Sequence, residues 1–430
     1  MRIVKSKKIP SDCDVLDLLL NWIEDEPVSC LLTSNKHTDP YGSFDILVGV
    51  GAERILKASV GDAFLQLAKF RSELNDWILG YLSYDLKNEL EDLDSQNIDQ
   101  LNFPDLFFFQ PKKLIRLTDD TLEFLYLSSY SLEIAEDFEA IFNPYINEIA
   151  NKQSNTPKIH TRFTRETYCE QVNKMLEHIK RGDIYEANFC QEFYAEAPIN
   201  PVSSFKKLNA LSEAPFAALL RLNDQYALCS SPERFLAKRG NQLISQPIKG
   251  TARRSTNPKE DLKLATELAQ DPKERTENIM ITDLVRNDLS KSAKRGTVTV
   301  KELCEVYSYK QVHQMISTIT AQVDEKTDLI SLIKNAYPMG SMTGAPKVSA
   351  MQIIEDLELT QRGLYSGSIG YITPEGDFDF NVVIRSILYN AAKPYASVSV
   401  GSAITAQALP NKEYEECLLK AKAMLETLES

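Results

Sequence analysis

Short apolar runs alternate with polar segments through the first third of the chain, and this pattern predicts strands connected by helices. Residues 44–50 and 77–82 are mostly apolar, with small or polar residues at their ends, which is typical of buried strands. Residues 62–68 carry apolar side chains at helical spacing, which predicts a helix between these two strands.

The rest of the chain combines longer amphipathic helices with strands that come in pairs. A helix is expected from Thr164, a good N-cap residue, to Arg181, with Gly182 ending it. The pattern predicts further helices at 258–270, 272–293, 328–336, 344–358 and 410–428. It predicts strands near 216–229, 234–246, 297–300, 366–373, 378–388 and 396–400. Because the strands pair as hairpins, as on either side of the turn at 373–377, we expect an α+β fold with antiparallel sheets.

A polar segment at residues 150–158 is the clearest candidate boundary, since it reads as a linker or exposed loop. We therefore divide the chain into an N-terminal region, 1–150, and a second domain, 160–428. A chain of 430 residues is long enough for two or three average domains or for one large one.

Composition limits the class of protein to which this chain can belong. A hydrophobic content of 43% and a charged content of 25% are those of a soluble globular protein, and no run is long enough to span a membrane. The net charge of −13 argues against nucleic acid as a partner, so a site for an anion must carry its own cations. Seven scattered cysteines without a Cys-x-x-Cys pair fit reduced thiols and a cytoplasmic location.

Lys249 is the first candidate for chemistry. It lies in the segment Gln-Pro-Ile-Lys-Gly-Thr at 246–251, sixteen residues after Glu233 of a Ser-Pro-Glu motif. Burial disfavours the charged ammonium, so we expect a lowered pKa and a nucleophilic amine, with a nearby carboxyl group as acid for a leaving hydroxyl. The alternative is a surface lysine in a hairpin.

Two pairs of glutamates have the spacing that places both side chains on one face of a helix. Glu274 and Glu277 form one pair, Glu413 and Glu416 form the other, and Lys420 follows on the face of the second pair. Each pair alone is compatible with a favourable helix dipole or a surface ion pair. Together they could supply a Mg²⁺ site that keeps waters and accepts a substrate oxygen.

A Gly-rich loop at 338–347 and an arginine at the end of an apolar strand are the remaining candidates. The glycines of the loop have the wrong spacing for a P-loop, and Pro346 removes an amide that a phosphate would need. We expect the loop to direct Thr343, Lys347 and free amides towards an anion. Arg385 should be partly buried and needs an anionic partner, either a structural aspartate or a substrate carboxylate.

These motifs, in this order, resemble those of the chorismate-utilising enzymes over nearly the whole chain. Residues 160–428 are similar to the chorismate-binding domain, and residues 1–150 to the N-terminal region of anthranilate synthase component I. The resemblance implies antiparallel sheets packed as a sandwich-like core with surrounding helices. The matching motifs are Ser-Pro-Glu at 231–233, Pro-Ile-Lys-Gly-Thr at 247–251, Lys-Glu-Arg-Thr-Glu at 273–277, Asp-Leu-Val-Arg-Asn-Asp at 283–288, Gly-Ala-Pro-Lys at 344–347 and Glu-Tyr-Glu-Glu at 413–416.

Within this family, Lys249 resembles the residue of the aminodeoxychorismate synthase large subunits, since anthranilate synthases usually carry Ala there. Isochorismate and salicylate synthases place a water-activating Lys where this chain has Glu186. The resemblance therefore implies amination of chorismate at C4 for p-aminobenzoate and folate synthesis. Anthranilate synthase component I is the alternative, and a non-catalytic amino-acid-sensing or scaffolding subunit is a third reading.

The resemblance also implies a role for each site residue. Glu277 and Glu416 would hold Mg²⁺, with Glu274 and Glu413 as water-mediated or supporting ligands. Lys249 would attack C2 of chorismate while Glu233 protonates the departing C4 hydroxyl. The remaining residues would bind the enolpyruvyl carboxylate or complete the pocket, and they are Tyr365, Arg385, the backbone at Gly401, Thr251, Thr343 and Lys420.

No cysteine lies in a recognisable glutaminase motif, so a separate glutamine amidotransferase subunit is expected to deliver ammonia. Residues 31–34 resemble a family segment that lines a tryptophan pocket, although a core strand explains them as well.

Three positions depart from the family pattern. Glu186 replaces the usual Gln, Gln314 the usual His and Asn278 another His, which puts ring positioning and Mg²⁺ affinity in question. The neighbouring His313 should point away from the site.

Overall fold

A computed structural model describes residues 1–10, 13–143 and 157–429, and these form twenty strands and eleven α-helices. The strands are β1 (Arg2–Lys8), β2 (Val28–Thr33), β3 (Ile46–Ala58), β4 (Ile78–Leu82), β5 (Leu106–Thr118), β6 (Thr121–Leu127), β7 (His160–Thr161), β8 (Glu186–Ala195), β9 (Phe216–Leu222), β10 (Gln225–Ser231), β11 (Arg234–Arg239), β12 (Gln242–Gln246), β13 (Ile248–Arg253), β14 (Thr299–Ser308), β15 (Val312–Gln322), β16 (Gly344–Ala345), β17 (Ser368–Ile372), β18 (Phe378–Asn381), β19 (Ser386–Asn390) and β20 (Tyr395–Thr405). The helices are α1 (Val15–Trp22), α2 (Ala63–Leu74), α3 (Lys87–Leu90), α4 (Ile134–Phe142), α5 (Arg165–Arg181), α6 (Pro201–Ser212), α7 (Pro258–Gln270), α8 (Pro272–Ser290), α9 (Leu329–Ala336), α10 (Lys347–Leu357) and α11 (Pro410–Glu429).

The strands form two sheets that share the long strand β5, and the strands named above pair antiparallel throughout. One sheet runs in the order β1-β6-β5-β3-β2-β9-β10-β19-β20-β8, with β7 and β16 on β8. The other runs β5-β4-β17-β18-β11-β12-β15, with β13 and β14 on β15. The first residues of β5 pair with β4 and its last residues with β6, so the two sheets diverge from one strand.

Alternation of side chains along the strands produces two hydrophobic cores. On β2 and β3, Cys30 and Leu47 belong to a core that joins both sheets, whereas Leu31 and Val48 face a second core with α1, α4, α5, α6, α10 and α11. This arrangement is an antiparallel sandwich with helices around it. The predicted α+β class and sandwich-like core are confirmed.

Strands from the first third of the chain complete sheets built by the remainder. Strand β2 pairs with β9, and β4 pairs with β17. The predicted linker at 150–158 lies outside the described residues except for 157 and 158.

Most predicted elements are present, with corrections at their boundaries. Helix α5 has the predicted caps, since Thr164 accepts from the amide of Thr167 and Gly182 has a φ of +86°. The strands predicted at 216–229, 234–246 and 378–388 are each two strands, because residues in the left-handed region interrupt them at Asn223, Gly240 and Arg385. Among the described residues, the helices are all too short or too polar to cross a lipid bilayer.

The remaining helix and strand predictions also shift at their ends. The helix predicted at 272–293 ends at Ser290, and that predicted at 344–358 begins at Lys347. The short strand predicted at 297–300 is the beginning of β14, which continues to Ser308.

Candidate active site

All but three of the candidate residues line one cavity of about 700 Å³. The cavity lies between the end of β10, the strand β13 and the helices α8 and α11. The residues it brings together are Glu233, Lys249, Thr251, Glu274, Glu277, Tyr365, Arg385, Gly401, Glu416 and Lys420. The three candidates outside its lining are Thr343, Lys347 and Glu413.

A bulge in β13 holds Lys249 at the cavity. The register against β15 shifts between Ile248 and Thr251, so Lys249 and Gly250 leave the regular ladder. Gly250 has a φ of +97°, and a Cβ there would lie 3.2 Å from Oε2 of Glu274. The left-handed backbone therefore favours glycine here, and the approach of α8 leaves little room for a side chain.

Asn278 fixes the backbone of this bulge from beneath. Its Nδ2 donates to the carbonyl oxygens of Lys249 and Met315, each at 3.1 Å, and its Oδ1 accepts from the hydroxyl of Ser317. The amide thus faces the strands rather than the neighbouring Glu277 carboxylate. Sequence reasoning flagged Asn278 only as a departure and gave no signal for this role.

The expectation of a lowered pKa for Lys249 is wrong. Its Nζ lies 2.8 Å from Oε1 of Glu186, and the two side chains are 11% and 1% exposed. Burial lowers the pKa of the ammonium, but the carboxylates of Glu186, Glu277 and Glu416 outweigh it and raise the pKa above its ordinary value. Lys249 is therefore charged in this structure.

Glu233 has the properties of a proton donor. Burial raises the pKa of its carboxyl group to about 7, although the hydroxyl of Ser341, which donates to Oε1 at 2.6 Å, and the charge of Lys249 oppose the rise. Its own amide donates to the hydroxyl of Ser231 at 3.1 Å. A carboxyl group with such a pKa is partly protonated near neutral pH. Ser341 was missed by sequence reasoning, although the Gly-rich loop that contains it was noted.

The two glutamate pairs meet between α8 and α11. Burial raises the pKa of Glu277 to about 7 and also raises the pKa values of Glu274 and Glu413. Burial would likewise raise the pKa of Glu416, but the ammonium of Lys420, at 2.6 Å from Oε1, lowers it. Nearby positive charge therefore offsets the burial of a charged carboxylate at Glu416 but not at Glu274, Glu277 or Glu413.

The donor set at these helices suits a hard cation. Oε1 of Glu277 and Oε2 of Glu413 are buried without a hydrogen-bond partner among the described residues. Lys273 places its Nζ 3.8 Å from Glu277 and 3.9 Å from Glu413, so a cation already lies between the two carboxylates. No group of three His, Cys, Asp or Glu in the described ranges is arranged to hold a metal ion. Mg²⁺ is commonly bound by one or two carboxylates with waters and substrate oxygens, and these residues fit it.

Arg385 is a cation whose guanidinium has no partner among the described residues. It has a φ of +53° between β18 and β19, and its guanidinium is enclosed by protein yet partly open to the cavity. Burial lowers its pKa, with Tyr365 and Glu416 opposing from a distance. No described residue forms a hydrogen bond or ion pair with the guanidinium, so the structural aspartate considered from the sequence is absent from the described part of the chain.

Gly401 and Lys420 form the wall beside Arg385. Nζ of Lys420 donates to the carbonyl of Gly401 at 2.8 Å. A Cβ at Gly401 would lie 2.7 Å from Sγ of Cys190 and 2.8 Å from Nδ2 of Asn188, so only glycine fits there.

Apart from Ser341, the polar side chains of the Gly-rich loop contact protein groups outside the cavity. Nζ of Lys347 pairs with Asp288 at 2.6 Å and donates to the carbonyl of Pro338, so the expectation that Lys347 faces a bound anion is wrong. The hydroxyl of Thr343 donates to the carbonyl of Gly340 at 3.2 Å. The acidic Asp288 on α8 attracts the lysine away from the cavity.

His313 and Gln314 are neighbours on β15, and only Gln314 lines the cavity. His313 contacts Ser308 and Asp261 and lies outside the cavity lining, as predicted. Gln314 lines the cavity, and its Oε1 has no partner among the described residues.

A second cavity of about 390 Å³ lies beside β2. The core strand expected at residues 31–34 is confirmed for residues 31–33, which belong to β2, whereas Ser34 follows the strand. Leu32, Thr33 and Ser34 line the cavity. Arg234 also lines it, with Nε 3.0 Å from Asp379 and a second ion pair to Asp39.

Comparisons with known proteins agree on one family. A family model described as chorismate binding enzyme matches residues 29–426. The aminodeoxychorismate synthase component 1 of Escherichia coli is 32% identical over 97% of this chain and 96% of its own length. The anthranilate synthase component 1 of Thermus thermophilus is also 32% identical, over 82% of this chain and 77% of its own.

Solved structures share the fold. The anthranilate synthase component I of Streptococcus pneumoniae matches with a TM-score of 0.77 at 23% identity, over 91% of this chain and 94% of that one. The menaquinone-specific isochorismate synthase of Escherichia coli matches with a TM-score of 0.77 at 18% identity, over 100% and 95%.

Proposed function

The chain belongs to the chorismate-binding enzymes, and from this premise we propose that it is the synthase subunit of an aminodeoxychorismate synthase. It would convert chorismate and ammonia into 4-amino-4-deoxychorismate, for p-aminobenzoate and folate synthesis. The observation that carries the proposal is one cavity that combines the Lys249 side chain, a proton-donating Glu233 and Arg385, which has no partner among the described residues.

A dianionic substrate suits the charges of the cavity. Arg385 can donate two parallel hydrogen bonds to the enolpyruvyl carboxylate, beside the hydroxyl of Tyr365 and the backbone at Gly401. Glu277 and Glu416 would hold Mg²⁺, with Glu274 and Glu413 supporting them. The cation would polarise the ring carboxylate as a Lewis acid.

Lys249 would then act as the nucleophile. The amine lone pair forms a bond to C2, the two ring double bonds shift, and the C4–O bond breaks as Glu233 gives its proton to the oxygen, which leaves as water. Ammonia next bonds to C4, the double bonds shift back, and the lysine nitrogen leaves C2 with its electron pair. The carboxylate of Glu233 takes the excess proton from the new amino group.

Ammonia would come from a separate glutamine amidotransferase subunit. All seven cysteines are described, and five of them are buried. Burial raises the pKa of the Cys229 and Cys417 thiols to about 11, so they do not form a thiolate nucleophile at neutral pH. The relatives named component 1 are consistent with a two-subunit enzyme.

Anthranilate synthase component I is the second candidate, since such relatives are equally similar at 32% identity. Overall identity therefore does not separate the two, and the difference rests on Lys249. An anthranilate synthase would aminate C2, the carbon that Lys249 would occupy in the proposed route.

The test is product identification with purified protein, chorismate, Mg²⁺ and a high concentration of an ammonium salt. We expect 4-amino-4-deoxychorismate, detected by chromatography and mass spectrometry, without release of pyruvate. Anthranilate fluorescence together with pyruvate would reject the proposal in favour of the second candidate. No turnover at any ammonia concentration would favour a non-catalytic subunit.

A further inference from the structure

Glu186 is a buried carboxylate that the reaction outlined above does not use. It is the first residue of β8 and 1% exposed. Its backbone is fixed by antiparallel pairing to Thr405 of β20 and Ala345 of β16. Its Oε1 lies 2.8 Å from Nζ of Lys249, and its Oε2 has no hydrogen-bond partner among the described residues.

A charged Lys249 cannot attack chorismate, because the ammonium has no free electron pair. Within the described residues, Glu186 is its only ion-pair partner. Glu233 approaches from the end of β10, but it must keep its own proton for the leaving hydroxyl. Two other carboxylates act on the Lys249 ammonium, Glu277 of α8 and Glu416 of α11. Each has a lysine of its own helix nearby, Lys273 for Glu277 and Lys420 for Glu416.

We propose that Glu186 is a catalytic residue that takes the proton from the Lys249 ammonium, which frees the amine to attack. This inference rests on the proposed function. The proton moves from Nζ to Oε1, so the ammonium and carboxylate become an amine and a carboxylic acid. Glu186 keeps this proton while the lysine nitrogen is bonded to the ring. When ammonia displaces that nitrogen as an amine, Glu186 returns the proton and the ion pair forms again.

This role makes formation of the adduct insensitive to hydroxide in bulk solvent, because the proton stays within the pair. In Glu186→Gln, the amide keeps the size of the side chain but cannot accept a proton. The lysine must then lose its proton to solvent. Below the pKa of the lysine, its amine fraction, and hence its rate of attack, rises about tenfold per pH unit.

The experiment measures how fast chorismate, in the presence of Mg²⁺ and without ammonia, forms the covalent adduct, using rapid quench and intact mass spectrometry. Rates of the wild type and Glu186→Gln are compared from about pH 6 to about pH 9. The rate of Glu186→Gln is divided by the rate of the wild type at each pH. Ionisation of Glu233 affects both rates alike, so it cancels in this ratio. We expect a ratio well below one at low pH that rises about tenfold per pH unit. A ratio that is the same at every pH, or a variant as fast as the wild type at low pH, would overturn the proposal.

Two further variants serve as controls. Glu186→Asp retains a carboxylate and should follow the wild-type pH profile at a lower rate. Glu192→Gln removes another buried carboxylate of β8, one that pairs with Arg162 instead of Lys249, and it should keep the wild-type profile.

These controls also keep the outcomes separate. If Glu186→Gln fails to fold, Glu186→Asp still decides, since a tenfold dependence on pH in that variant would refute the proposal. A wild type without any adduct would refute the lysine route itself, whereas an adduct with a constant rate ratio would refute only the role of Glu186.

Discussion

Replacing Arg385 with Met should weaken substrate binding without loss of stability. The guanidinium is enclosed by protein and has no partner among the described residues, while burial already lowers its pKa. Removing an uncompensated cation costs the folded protein little, because its desolvation is not repaid by an ion pair. Methionine retains the length and apolar contacts of the arginine stem.

The effect on binding follows from the hydrogen bonds that would be lost. Loss of a charged group that donates two bonds to a carboxylate should cost about 2–4 kcal/mol. That range corresponds to an increase in KM for chorismate of about 30-fold to about 1,000-fold. Initial rates at saturating ammonia give KM, and calorimetry gives the change in unfolding temperature.

Arg234→Met is the matched control. Arg234 is 1% exposed and pairs with Asp39 and Asp379 in the second cavity. Its removal leaves Asp39 without an ion-pair partner among the described residues and leaves Asp379 with Arg239 alone, so it should destabilise the protein by about 3–5 kcal/mol. If Arg385→Met loses as much stability as Arg234→Met while its KM is unchanged, Arg385 is structural and the substrate assignment is refuted.

Three further predictions concern Glu233 and Glu277 in the cavity and Asn278 beneath it. Glu233 must be protonated to act, so kcat should fall as pH rises through about 7. The variant Glu233→Gln should be slower by about 10²–10⁴-fold, and an unchanged rate would exclude Glu233 as the acid. The folded pKa of Glu277 is raised to about 7 from 4.5, so its stability contribution is present below about pH 4.5 and lost as pH rises through about 7. Without Mg²⁺ at about pH 8, Glu277→Gln should therefore be more stable than the wild type by about 1–3 kcal/mol. The same variant should lose Mg²⁺-dependent activity, and equal losses of folding and activity would make Glu277 structural. Asn278→Ala should lower kcat more than it raises KM and destabilise by about 1–3 kcal/mol, and an unchanged kcat would show that the Lys249 backbone needs no support.

The sequence predicted the fold class and most of the residues that meet in the cavity. These predictions came from short motifs in which a polar residue lies next to a turn or a helix start. Examples are the motif around Gly250, which lies at a bulge, and the paired glutamates of α8 and α11. Periodicity also predicted α5 with both its caps. Local patterns were therefore sufficient wherever the deciding contacts lie within one element.

The charge state of Lys249 could not be predicted in this way. It depends on Glu186, which lies on another strand and is brought within 2.8 Å only by the folded sheets. The same holds for Asn278 of helix α8, whose partners Lys249 and Met315 lie on the strands β13 and β15. The split of the segment 378–388 has a different cause, because the left-handed backbone at Arg385 leaves no mark in an apolar pattern.

The central claim is that Lys249 bonds covalently to the substrate ring. The direct measurement is intact mass spectrometry of the protein incubated with chorismate and Mg²⁺ without ammonia, followed by peptide mapping. We expect an added mass equal to chorismate less one water, located on Lys249, released by ammonia and absent in Lys249→Ala. Normal amination without any adduct, or an adduct that persists in Lys249→Ala, would contradict the account.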